Sequence, residues 1–327
     1  MIVATRNRAE AVRNYILPSL SKQSFKDFFL IIIDASDNDN TEKVIHEFLR
    51  NNKRNFDIHY IKASKKGSAS QRNEAVEMLI KYHRADIIAF FDDDTELAEN
   101  ALEVISRNFE NDKNKMIYGI GLKILLPHEY DKVKRKKLGF LVKEIIKFIY
   151  SRIFLISLSN IFEGSFKRRV FPSGWSVGNK IGLADWLTGC SMAYRIEVFS
   201  NHKIRFDERL QRFGGYAHGE DVELSYNIRR NLRKLLVITD DAYVIHHKHP
   251  GGRLDLERFY AAVVYNKFLI AKKNYGFLAI LPYIWSLLGF IIITVIIGFI
   301  FGRLSERFRG IKKGIGAIIL DTLEGVL

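Results

Sequence analysis

The chain has 327 residues, is 47% hydrophobic and holds only five prolines, which excludes a disordered or linker-rich protein and leaves room for one large domain or two modest ones. Its formal charge of +14 calls for an anionic partner or surface. Zinc-finger spacing, an RNP-like aromatic motif and a helix-turn-helix signal are all missing, so nucleic acid is not the expected partner.

Met1 opens directly into Ile2-Val3-Ala4, too short a run for a cleavable signal peptide, and a first strand is expected from the first residue. The single cysteine, Cys190, cannot form an internal disulfide and suits a reducing, cytosolic face. As far as residue 124, short apolar runs alternate with amphipathic stretches. Ile2 to Thr5, Phe28 to Asp34, Ile58 to Lys62, Ile87 to Phe91 and Met116 to Lys123 predict strands, being rich in β-branched and aromatic residues. Ala9 to Leu20, Thr41 to Asn51, Ala69 to His83 and Glu99 to Asn111 carry the charges and predict helices. Strands spaced by helices imply right-handed βαβ units and a largely parallel sheet.

Residues 125 to 180 break the rhythm as a basic and apolar insertion. Lys132 to Lys137 is a basic run, and Leu138 to Phe162 has too many apolar residues for a solvated helix and too many charges for a membrane span. An interfacial amphipathic helix pair and a helical insertion packed on the domain both fit it. Pro172-Ser173-Gly174 marks a turn, and from Leu183 to His249 the chain is compact again. An amphipathic linker helix is expected over 254–275, an uncharged apolar segment over 277–301 and a basic amphipathic tail over 302–327.

The chemistry concentrates where strands end. Ile87-Ile88-Ala89-Phe90-Phe91 reads as a fully buried strand and runs straight into Asp92-Asp93-Asp94. Open α/β sheets bind ligands at the carboxyl ends of their strands. Side chains alternate along extended chain, so Asp92 and Asp94 share a face and can hold a hard divalent cation, with Asp93 opposite. An acidic turn that merely caps the next helix is the plain alternative. Thr5-Arg6-Asn7-Arg8 ends the first strand, and Asp34 ends the second, where a carboxylate can accept a hydrogen bond from a base N–H. Gly67 to Asn73 opens a helix whose free N–H groups, with Arg72, suit a phosphate. Further on, Gly219-Glu220-Asp221 starts a helix after the glycine-rich Phe213-Gly214-Gly215-Tyr216. An acid there is either stabilised by the helix dipole or poised as a general base. Val244-Ile245-His246-His247-Lys248-His249 offers candidate metal ligands.

Taken together, these elements resemble the inverting family 2 glycosyltransferases of the GT-A fold, over about residues 1 to 260. The resemblance rests on Thr5-Arg6-Asn7-Arg8, Asp34 with Ser36 and Asp39, Arg72-Asn73, the triple aspartate, Trp186-Leu187-Thr188-Gly189-Cys190, Gly219-Glu220-Asp221 and Val244-Ile245-His246. It looks most like the bacterial and archaeal members that build cell-surface polysaccharides or glycolipids. What it implies is an α/β nucleotide-diphospho-sugar transferase fold, Rossmann-like with a mixed, mainly parallel sheet flanked by helices, ending in a membrane segment. It also implies a nucleotide-diphosphate sugar donor (UDP, GDP or dTDP), a glycan or lipid-linked acceptor and a divalent Mn²⁺ or Mg²⁺.

Residue by residue, the resemblance assigns Thr5, Asn7, Arg8, Asp34, Arg72, Asn73, Asp92 and Asp93 to the nucleotide sugar, with Asp34 on the base. Asp94, Asp92 and His246 take the metal, with His247 and His249 as rivals to His246. Asp221 becomes the catalytic base, Glu220 helps place the acceptor, and Trp186 and Gly189 line the acceptor side. Position 35 is Ala where the family often has a second acid, so base recognition would rest on one carboxylate. A nucleotidyltransferase would want a glycine-rich phosphate loop near the first strand, which Thr5 to Arg8 does not supply. An inactive relative scaffolding a polysaccharide assembly complex would need neither Asp94 nor Asp221.

Activated sugars are cytosolic, so the expected location is the cell membrane with the catalytic domain on the cytoplasmic side and lipids as partners. Phe277 to Phe301 is long enough to cross a bilayer of roughly 30 Å, and Tyr283 and Trp285 sit near its start as interfacial aromatics do. A single span would place Arg303, Arg307, Arg309, Lys312 and Lys313 outside, against the positive-inside tendency. A re-entrant segment kinked at Pro282, Gly289 and Gly298, or pairing with other chains, would relieve that conflict.

Overall fold

The computed structural model describes residues 1–51, 56–82, 85–127, 182–248 and 254–325. Nearly all of the insertion, with its basic run and expected interfacial helices, lies outside these residues, as do Pro172-Ser173-Gly174 and His249.

The expected strands form β1 (Ile2–Thr5), β2 (Phe29–Asp34), β3 (Asp57–Lys62), β4 (Ile87–Asp92) and β6 (Ile117–Leu125), with β5 (Thr95–Leu97) as an extra short strand after the triple aspartate. Later come β7 (Gly182–Ala184), β8 (Met192–Arg195) and β9 (Leu235–His246). They make one nine-stranded sheet in the order β3-β2-β1-β4-β8-β6-β9-β5, with β7 also on β9. The half that βαβ logic predicts, β3 to β4, is wholly parallel. Beyond it β8 runs antiparallel to both β4 and β6, so the sheet is mixed.

Alternation sets the two faces. Ile2, Ile31, Ile33, Ile88 and Phe90 pack into one buried cluster, and Val3, Leu30, Ile32, Ala89 and Phe91 into the other. Because both faces are covered, β1, β2 and β4 read as continuous apolar runs rather than alternating ones. Phe90, fully buried among Tyr194, Phe199 and Phe206, is the kind of side chain whose truncation to Ala costs about 3–5 kcal/mol.

The helices are α1 (9–21), α2 (Asn40–Asn51), α3 (Ser68–Tyr82), α4 (Ala101–Asn111), the short α5 (Glu197–Ser200) and α6 (Glu220–Leu232). Three more follow: α7 (Leu256–Tyr275), α8 (Ile280–Phe301) and α9 (Leu304–Leu323). The linker helix α7 is no free tether. Its Tyr265, Leu269 and Ile270 enter the first core cluster, and Asn266 Nδ2 donates to the carbonyls of Leu210 and His218, each at 2.8 Å. Gly276–Phe301 is the one stretch among the described residues long and apolar enough to cross a membrane, with a mean hydropathy of 2.7.

Candidate active site

Parallel register brings the ends of β1, β2 and β4 to one edge, with Thr5 beside Asp34 and Ala4 beside Asp92. A cleft of about 700 Å³ opens there. The chain turns at Asp93-Asp94 directly after Asp92, and β5 then pairs Thr95 with His246 at the end of β9. That pairing carries His246 to the acids. Ligand atoms of Asp92, Asp94 and His246 lie within 4.8 Å of one another, with His246 Nε2 at 3.2 Å from Asp94 and 3.9 Å from Asp92. Two carboxylates and an imidazole are a donor set that suits Mn²⁺ or Mg²⁺. Burial alone would lower the His246 pKa, yet it lies well above its ordinary value. What raises it is contact with Cys190 and with Asp94.

Asp93 lies outside that group of three. It is 1% exposed, accepts from Thr5 Oγ1 at 2.7 Å and pairs with Arg8 at 2.6 Å. Burial pushes its carboxyl up to about 7 against the pull of Arg8. The second arm of the Arg8 fork reaches Asp94 at 2.7 Å. Asp93 thus fixes Arg8 at the rim and shapes the turn.

The opposite wall is set by a backbone constraint. Gly219 caps α6 with φ +86°, a left-handed conformation that costs a side-chain-bearing residue energy, and it turns Glu220 and Asp221 into the cleft. Asp221 accepts from the N–H of Gly189 at 3.0 Å and of Val222 at 2.8 Å. Burial raises the Asp221 carboxyl despite both bonds. Glu220 accepts from Ser68 Oγ at 3.0 Å and is pushed up to about 7 by burial, with Arg72 opposing. Arg72 is 4% exposed and joins the walls: it pairs with Glu220 on one side and with Asp92 Oδ1, at 2.8 Å, on the other.

Thr5, Asn7, Arg8, Arg72, Asp92, Asp93, Gly189, Glu220, Asp221 and His246 all line the cleft, whereas Asp94, 1% exposed, does not. Three more expected residues do not line it. Asp34 is 0% exposed because Ser36 (backbone N–H and hydroxyl) and the Tyr60 hydroxyl close over its carboxylate. Asn73 is clamped to the backbone of Phe206 at 3.0 Å in both directions. Trp186 is 3% exposed and packs inside the domain. His247 turns away as well, stacking on Tyr15 and bonding to Glu96 at 2.9 Å. Conversely, Arg6, Cys190 and Tyr216 line the cleft without having been assigned a role. Only the glycines before Tyr216 pointed to that loop.

Known proteins share this fold. The family described as glycosyl transferase family 2 matches residues 1–162. The chain is 23% identical over 288 residues to the Bacillus subtilis protein YfnE, described as an uncharacterized glycosyltransferase, covering 81% of this chain and 68% of that one. Among solved structures, residues 1–349 of S. aureus TarS superpose with a TM-score of 0.53 at 15% identity, covering 95% of this chain and 77% of that one. The mannosyltransferase PcManGT of Pyrobaculum calidifontis, solved with GDP-Man and Mn²⁺, gives 0.52 at 12% identity over 98% and 86%. The TarS fragment has also been solved with UDP-GlcNAc. The sheet, the cleft at its strand ends and these matches identify the chain as a glycosyltransferase of GT-A-like fold whose N-terminal half is a family 2 glycosyl transferase domain.

Proposed function

We propose that this chain moves a sugar from a nucleotide-diphosphate donor to a hydroxyl of a glycan or lipid-linked acceptor, with inversion and with a divalent metal. The observation that carries this reading is the placement of Asp221 on one wall and of Asp92, Asp94 and His246 on the other, locked together through Arg72.

Asp92, Asp94 and His246 would hold the metal, which when bound neutralises charge on the leaving diphosphate. Arg8 and Arg6 add positive charge on the same rim. Asp221 takes the acceptor hydroxyl proton as the acceptor oxygen bonds to the anomeric carbon. The bond from that carbon to the diphosphate oxygen breaks, and its electrons leave with the nucleoside diphosphate. A single displacement of this kind inverts the anomeric centre and needs no nucleophile from the protein. A raised pKa makes Asp221 a stronger base than an ordinary aspartate. Arg72, expected on the phosphates, is instead a positioning residue that holds Asp92 and Glu220 in place. Structural neighbours solved with UDP-GlcNAc and with GDP-Man and Mn²⁺ support a nucleotide-sugar donor and a metal.

The test is thermal stabilisation by UDP-, GDP- and dTDP-sugars with and without Mn²⁺ or Mg²⁺, followed by NMR of the product's anomeric configuration. Metal-dependent stabilisation by one donor series and an inverted product are expected. Retention of configuration would overturn the single displacement.

A further inference from the structure

The apolar helix α8 does not lead the chain away from the catalytic domain. It runs back antiparallel along α7, with the Tyr283 hydroxyl donating to the Val264 carbonyl at 2.9 Å and the Tyr283 and Phe290 rings packed on Phe268 and Tyr260. Helix α9 then returns parallel to α7. Its Gly310 and Gly314 let the backbones touch: a Cβ on Gly314 would stand 2.8 Å from the Ala261 carbonyl oxygen. At its far end Asp321 pairs with Arg212 of the catalytic domain at 2.9 Å.

The side of α8 facing these helices buries Tyr283, Ser286, Gly289, Thr294 and Gly298. Leu281, Trp285, Leu288, Ile292, Ile296 and Phe299 form a stripe on the opposite side, every one at least 45% exposed. Apart from the Trp285 indole, that stripe has no polar side-chain atom. A protein interface of comparable size carries about one hydrogen bond per 100–200 Å², so the stripe is chemically a lipid-facing surface. Charge agrees: Arg303, Arg307, Arg309, Lys312 and Lys313 follow it directly, with Glu306 and Glu257 as the acids they meet.

Crossing the hydrocarbon would drag neighbours in. From Tyr283 to Ile291 helix α8 packs on α7, which carries Glu257, Arg258, Lys267, Lys272 and Lys273 and is itself built into the catalytic core. Charged side chains at the bilayer centre cost several kcal/mol each.

We propose that α8 is an in-plane anchor, its outer stripe sunk into the interfacial zone of one anionic leaflet, with both of its ends and the catalytic domain on the same side. Leu254, Asp255 and Arg258 at the start of α7 form part of the cleft rim, so one helix carries both the membrane surface and the cleft edge. The anchor stands independently of the donor and metal reading.

The test uses the full chain with single cysteines introduced by Leu281→Cys, Leu288→Cys and Phe299→Cys; the native Cys190 is fully buried and stays silent. Each is labelled with a fluorophore and quenched by lipids brominated near the headgroup or near the chain ends. Equal, shallow quenching at all three positions is expected. Deep quenching at residue 288 with shallow quenching at 281 and 299 would overturn the proposal in favour of a re-entrant or spanning helix. No quenching at any position would overturn it in favour of a protein partner or second copy on the stripe. Binding is expected to be about a hundredfold tighter to vesicles containing anionic lipid than to neutral ones, and equal affinity for both would remove the anionic leaflet. Leu288→Glu with Ile292→Glu is expected to release the protein from vesicles while leaving its Tm in solution unchanged, and full retention would overturn the stripe as the anchor.

Discussion

Arg8 grips Asp94 Oδ2 at 2.7 Å and leaves the other oxygen turned to His246 at 3.2 Å. A cation held by Asp92, Asp94 and His246 therefore shares Asp94 with a guanidinium. Asp94→Ala is expected to abolish the metal-dependent part of nucleotide-sugar binding. Wild-type protein at donor and Mn²⁺ a hundredfold above Kd gains about 2.7 kcal/mol of stability. Calorimetric heats that are the same with and without Mn²⁺ in wild type and variant would remove Asp94 from a metal site.

Asp221→Asn keeps the shape of the side chain and loses its basicity. Turnover is expected to fall by about 10²–10⁴-fold, the usual contribution of a general base, with donor affinity unchanged. Single-turnover kinetics beside donor titration checks this, and near-normal transfer by the variant would exclude Asp221 as the base.

The pH dependence follows from burial. A general base works only when ionised, so activity rises with pH through its pKa. Burial raises Asp221, and raises its neighbour Glu220 to about 7. The acid limb of kcat/KM is therefore expected above the value of about 4 typical of carboxylates. Glu220→Gln removes a neighbouring negative charge and is expected to shift that limb to lower pH. An acid limb that stays near 4 in wild type would show that neither carboxyl is perturbed in the working enzyme.

Much of this was legible in the sequence because it is local. The βαβ rhythm gave the parallel half of the sheet, and the apolar run ending in three acids put Asp92 and Asp94 at a strand end. Local pattern fails where the deciding contact is distant. Asp34 ends its strand much as Asp92 does, yet Ser36 and Tyr60 fold over it and bury it. His246 and His247 look equivalent in the chain, and only the pairing of β5 with β9 assigns the first to the acids and the second to Tyr15 and Glu96. Arg72 reads as a phosphate ligand at a helix start, and its pairing with Glu220, 148 residues on in the chain, was not legible there.

That pairing has a stability consequence. Arg72 is buried between Asp92 and Glu220, so Arg72→Met leaves two acids without their shared cation. Breaking a buried pair from one side costs about 3–5 kcal/mol. Adding Glu220→Gln to Arg72→Met is expected to recover part of that loss, because the stranded charge is removed. Urea unfolding of both single variants and the double variant measures it. Additive losses would mean that Arg72 and Glu220 are not coupled.

The seam between α7 and α9 makes a prediction in which one substitution changes sign over two residues. Gly314 and Gly316 lie in the same helix. A methyl group at 314 would stand 2.8 Å from both the Ala261 carbonyl oxygen and the Val264 Cβ, whereas one at 316 meets nothing within 4 Å. Alanine in an open helical site gains about 0.8–1 kcal/mol over glycine, and overpacking a tight seam costs about 1–3 kcal/mol. Gly316→Ala is therefore expected to raise Tm and Gly314→Ala to lower it. In the latter, α9 should also become the first segment cut in limited proteolysis, as its displacement weakens the Asp321–Arg212 pair. If both variants are stabilised, α9 does not pack on α7 through its glycines, and the return of the chain to the catalytic domain is lost with that contact.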